Sequence, residues 1–69
     1  MKKYYLNLIP QSNGDYEVHS EDCNYRPKLN YDELGYHSSC SLAVTTAKRR
    51  HPLKKINGCY YCSKVCHTS

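Results

Sequence analysis

The sequence predicts a small α+β domain, and three observations predict it. An alternating apolar run at the front breaks at an Asn-Gly turn and resumes. A single breaker-free stretch with helical periodicity follows in the second half. Between and behind them lie two pairs of metal-ligating residue types, His19-x3-Cys23 and Cys59-x2-Cys62. The chain has 69 residues, which makes one domain over 1–69.

Residues 3–9 are rich in strand formers, with Tyr4, Leu6 and Leu8 on one face and Tyr5, Asn7 and Ile9 on the other. Pro10 ends this strand. Asn13-Gly14 favours a tight turn because both residues tolerate positive φ. Tyr16 to His19 reads as the returning strand, with Tyr16 and Val18 inward and His19 at its end. Residues 20–33 show no period and read as a loop carrying Cys23. Leu34 to His37 is expected to add a short third strand.

Ser38, Ser39 or Ser41 can cap a helix running from about residue 40 to 50. Cys40, Ala43, Val44, Ala47 and His51 share its apolar stripe, which predicts that Cys40 is a core residue. Lys48, Arg49 and Arg50 sit in its last turn, where cations suit the negative end of the helix dipole. Pro52 stops it. Asn57-Gly58 reads as a second turn, and a short C-terminal helix over about 60–66 completes the expected architecture.

Such a chain has difficulty burying enough apolar surface to be stable alone. Aliphatic residues are few, Phe and Trp are absent, and eight tyrosines must supply core volume. Each brings a hydroxyl that needs water or a partner. A staple is expected, and the five cysteines are the obvious material. The N-terminal apolar stretch is broken by Asn7 and Pro10, so it does not read as an export signal, and no run approaches a membrane span. A cytoplasmic setting is therefore expected, with no membrane partner. That setting disfavours disulfides, and five cysteines cannot all pair within one chain.

Metal binding is the better use for them. A structural Zn²⁺ takes four thiolate or imidazole ligands in a tetrahedron, usually as two chelating pairs on separate elements. His19 and Cys23 supply one pair, and Cys59 and Cys62 the other. Cys66 is an alternate ligand in place of His19, because Cys59, Cys62 and Cys66 would face one way on a helix. That all-thiolate set would also suit an iron–sulfur cluster. His37, His51 and His67 read as surface or capping residues. A catalytic Cys66–His67 pair is disfavoured because neighbouring side chains point apart and termini fray.

Net charge is +4, from ten Lys and Arg against six acids. This favours acidic partners without the dense basic stripe of a committed nucleic-acid binder. Lys48, Arg49, Arg50, Lys54 and Lys55 are the candidate phosphate contacts, although a solvated helix end explains the same residues.

At these residues the chain resembles the N-terminal metal-binding domain of the Ada DNA-repair methyltransferase and related small zinc modules of bacterial proteins. The shared frame is His19-Ser-Glu-Asp-Cys23, the Ala-containing stretch 38–47, and Gly58-Cys59-Tyr-Tyr-Cys62. The chain is also similar to a group of short bacterial proteins with Gly-Cys-Tyr-Tyr-Cys and Cys-His-Thr-Ser endings. The resemblance implies a zinc site in an α+β fold. In the repair domain the first ligand is the cysteine that accepts a methyl group from DNA. Here that position is His19, and imidazole is not that thiolate, so the repair chemistry is not implied.

Three functions follow as expectations. The leading one is a non-enzymatic zinc-stabilised module that binds nucleic acid or another protein. The second is a reactive-thiol protein using Cys62 or Cys66 for redox or alkyl-acceptor chemistry. The third is a metal-free interaction domain with buried cysteines.

Overall fold

The computed structural model describes residues 1–67, so the Thr68-Ser69 end of the Cys-His-Thr-Ser sequence lies outside the described residues. Strands β1 (Lys2–Asn7), β2 (Asp15–Ser20) and β3 (Tyr31–His37) precede the helix α1 (Cys40–Arg50). Strand β4 (Lys55–Gly58) and a 3₁₀ turn (Lys64–Cys66) follow it. The sheet runs β3-β1-β2-β4, with β1 antiparallel to both neighbours and β4 parallel to β2. The expected α+β class is what forms.

The β1–β2 hairpin closes where Asn-Gly directs it. Gly14 takes φ +91°, and its N–H donates to the Gln11 carbonyl at 2.8 Å. The Asn13 side chain accepts from the Asp15 N–H at 3.0 Å. Between β1 and β3 the register slips at Tyr4/Tyr5, so that Tyr4 faces Gly35 while Tyr5 faces Glu33. The extra residue is Leu34, buried in the core, and Gly35 at φ +84° supplies the backbone that such a bulge needs. Strand β3 begins three residues earlier than its apolar residues alone predict.

One face of the sheet packs on α1. Tyr4, Leu6, Val18 and Leu34 meet Cys40, Ala43 and Ala47 there, with Tyr16, Val44 and Ile56 at the margin. The small alanines let the helix approach the sheet closely. Ser39 is the N-cap, its hydroxyl accepting from the Leu42 N–H at 3.4 Å. Because side chains alternate along a strand, Val18 points to the helix and His19 to the opposite face.

Two expectations about the C-terminal third are corrected. Asn57-Gly58 does not turn the chain; it ends β4, paired in parallel with β2 through Glu17↔Asn57 and Val18↔Gly58. No helix spans 60–66, and only a 3₁₀ turn forms at Lys64–Cys66. This turn folds back under the helix start, where Cys66 forms a disulfide with Cys40. A side chain at Gly58 has no room: a Cβ there would lie 2.6 Å from Cys66 Cβ and 2.9 Å from the Ser63 carbonyl.

Candidate metal centre

The parallel pairing of β2 with β4 is what gathers the ligand types. Val18 and Gly58 sit opposite each other, and the Cys59 N–H continues the ladder by donating to the Val18 carbonyl at 3.0 Å. The next residues on the two strands, His19 and Cys59, are thereby neighbours. The chain then turns after each strand. The Cys23 N–H donates to the Ser20 carbonyl at 3.1 Å, and the Ser63 N–H to the Cys59 carbonyl at 2.9 Å. These two turns deliver Cys23 and Cys62 to the same point.

His19, Cys23, Cys59 and Cys62 each place one ligand atom there, all within 4.8 Å of one another, and can hold a metal ion. The first three residues are buried and Cys62 is half-buried. His19 Nδ1 lies 3.7 Å from Cys23 Sγ, and Cys23 Sγ lies 3.9 Å from Cys59 Sγ. Two pairs from separate turns thus converge, and the Arg26 guanidinium donates to the Cys23 carbonyl at 3.1 Å.

Each sulfur also receives main-chain N–H groups, which favour thiolate. Tyr25 N–H reaches Cys23 Sγ at 3.4 Å, and Ser20 N–H reaches Cys62 Sγ at 3.3 Å. Cys59 accepts from the N–H groups of Cys62 and Tyr61. On the far side of the imidazole, His19 Nε2 is buried without a hydrogen-bond partner, 3.5 Å from Glu17 Oε1.

The three thiols are not equivalent without an ion. Burial pushes Cys23 up to about 12 and also raises Cys59. Burial raises Cys62 as well, but hydrogen bonds from His19, the Ser20 N–H and the Ser63 hydroxyl outweigh it and hold this thiol down at about 6. Cys62 is therefore the thiolate of the set at neutral pH.

Cys66 stands apart from this cluster. Its sulfur is bonded to Cys40, against the expectation that disulfides are disfavoured, and neither Cys66 nor Cys40 carries a thiol. His67 Nδ1 lies 3.0 Å from the Gly58 carbonyl oxygen, so no Cys66–His67 nucleophile–base pair forms.

The basic residues do not form one stripe. The Arg50 guanidinium is tied to the Asp32 carboxylate at 3.3 Å and to the Glu33 carbonyl at 2.7 Å. Lys54 Nζ sits 4.4 Å over the Tyr16 ring. Lys48, Lys54 and Lys55 line an open cleft of about 490 Å³ beside His51, whose Nε2 contacts Asp32 at 3.0 Å. Among the described residues no helix is long and apolar enough to cross a membrane.

No known protein family, characterised protein or solved structure matches this chain. Its functional reading therefore rests on its own residues.

Proposed function

We propose that the chain is a non-enzymatic binding module folded around one Zn²⁺, held by His19 Nδ1 and the sulfurs of Cys23, Cys59 and Cys62. The convergence of these four ligand atoms within 4.8 Å carries the reading. Zinc bonds of about 2.3 Å to sulfur and 2.0–2.1 Å to nitrogen imply tetrahedral edges of about 3.8 Å between sulfurs and 3.5–3.6 Å from nitrogen to sulfur. The observed separations of 3.9 and 3.7 Å are close to those edges. A borderline-soft ion also suits a donor set of three thiolates and one imidazole.

The surroundings support the same reading. Metal-bound histidines usually turn their other ring nitrogen to a carboxylate, and the Glu17 carboxylate lies 3.5 Å from His19 Nε2, short of a hydrogen bond but on the side where that partner would stand. With four protein ligands no coordination position remains to activate water, so the ion's contribution is structural. It ties the hairpin to the C-terminal turn. Apparent zinc binding of about 10–16 kcal/mol in finger peptides indicates how far such a tie shifts folding. Three thiolates around Zn²⁺ leave the site near −1, and Arg26 and Lys64 are close in sequence to offset it.

The partner we propose is nucleic acid, met through Lys48, Arg49, Lys54 and Lys55, while Arg50 is spent on Asp32. Titration with a short DNA or RNA at rising salt tests this part. Affinity should fall with salt as counterions are released, and absence of binding at low salt would remove it. Metal analysis of protein purified in reducing buffer tests the zinc reading.

A second reading is favoured by one observation. A thiol held down at about 6 makes Cys62 the candidate for reactive-thiol chemistry if no ion binds. Alkylation kinetics separate the two: rapid labelling of Cys62 in the presence of equimolar zinc would favour the reactive thiol.

A further inference from the structure

Three tyrosines stand in solvent around the metal cluster, each within two residues of a ligand in sequence. Tyr25 follows Cys23, and Tyr60 and Tyr61 lie between Cys59 and Cys62. They are 61%, 50% and 70% exposed. Tyr31 and Tyr36 are exposed as well, and what distinguishes these three is that they stand together beside the ligand cluster. Tyr25 stacks on Tyr61, with centroids 4.6 Å apart and planes at 28°. Tyr60 meets Tyr61 edge-on at 5.4 Å. The stack joins the same two turns that the ion would join.

Beside these rings opens a cleft of about 280 Å³. Tyr25, Tyr60 and Tyr61 line it together with Asn7, Gln11 and Glu17, and His19 and Cys59 also border it. Gln11 Nε2 donates to Glu17 Oε1 at 3.4 Å. The cleft thus offers aromatic faces together with amide and carboxylate groups. A cation stands near one of these rings, Lys64 Nζ at 5.4 Å from the Tyr60 centroid, while the Arg26 guanidinium donates to the Cys23 carbonyl at 3.1 Å. Unpaired bases are recognised by this combination of a ring to stack on, polar groups to meet the base edge, and cations for the backbone.

We propose that this cleft binds an unpaired base of a single-stranded nucleic acid, with Tyr61 as the stacking surface and Gln11 at the base edge. The proposal rests on reading the module as a nucleic-acid binder, and it names a site separate from the lysines at the helix end. A duplex keeps its base faces stacked inside and has no ring to offer. An ion held by all four ligands would tie together the two turns that carry the stack.

The test is fluorescence anisotropy of a labelled single strand of about 10 nucleotides and of its duplex, with the zinc-loaded full chain. The single strand should bind at least about tenfold more tightly than the duplex, and Tyr61→Ala should weaken it by about 5- to 150-fold. Gln11→Ala should weaken it while zinc content stays unchanged. Lys48→Ala with Lys55→Ala should weaken strand and duplex alike. Should Tyr61→Ala lose its fold, Tyr61→Phe and Tyr61→Leu replace it: the ring should keep affinity and the aliphatic chain should lose it. Equal affinity for strand and duplex, or indifference to Tyr61 and Gln11 substitution, overturns the cleft and leaves the lysine surface standing. No binding of either form at low salt overturns both.

Discussion

Reducing the Cys40–Cys66 disulfide should cost this domain a large part of its stability even with the metal site filled. The bond joins the first residue of α1 to the 3₁₀ turn behind β4 and closes a loop with a sequence separation of 26. Cross-linking a loop of that length removes about 3.5 kcal/mol of chain entropy from the unfolded state at 25 °C. A domain of this size has a total of about 3.5–10 kcal/mol to draw on. At about 4–8 °C per kcal/mol, the melting temperature should fall by about 14–28 °C. The assay is thermal unfolding followed by far-ultraviolet circular dichroism, with zinc in excess, before and after reduction. Cys40→Ala with Cys66→Ala should reproduce the reduced curve without leaving a buried hydroxyl. A shift below about 3 °C, with zinc still bound, would refute the claim that this bond restrains the unfolded chain.

Gly58→Ala should be among the most damaging single changes, because its Cβ would meet Cys66 Cβ at 2.6 Å and main-chain atoms at 2.9 Å. It should lower the melting temperature and loosen zinc binding at the adjacent Cys59, read by competition with a chromophoric chelator; unchanged values would mean that the C-terminal turn yields freely. Zinc affinity should fall as pH falls, because burial keeps Cys23 and Cys59 protonated while Cys62 is held at about 6. Near neutral pH each ion bound should release about two protons, and more as the pH falls toward 6 and Cys62 also protonates. A pH-independent affinity in the same competition assay would contradict that. Ser39→Ala removes the hydroxyl that accepts from Leu42 and should cost about 1 kcal/mol in urea unfolding, with no change in zinc content.

The front of this domain was legible in its sequence because each element carries a local signal. Alternation over 3–9 and 16–19 with Asn13-Gly14 between them specifies a hairpin, and serines before an alanine stripe with Pro52 behind it specify a helix. The four ligand types were legible as two chelating pairs at ordinary spacings. What brings them together was not. Strand β4 is only four residues long, and its Asn57-Gly58 has the composition of a turn. Parallel pairing with β2 is a long-range event, and the glycine is there because Cys66 passes against it. The disulfide was hidden for a similar reason. Nothing local to Cys40 or Cys66 announces a partner far along the chain, and the helical spacing of Cys59, Cys62 and Cys66 suggested a shared face on a helix that does not form. The basic residues, a compact run in sequence, are divided in space between an ion pair, a ring contact and an open cleft.

The most direct test of the account is native mass spectrometry of the protein purified without added metal in reducing buffer. One Zn²⁺ per chain is predicted, lost in Cys59→Ser and substoichiometric in His19→Ala, with unfolding when a chelator removes it. A metal-free protein that keeps its fold and does not take up added zinc would contradict it.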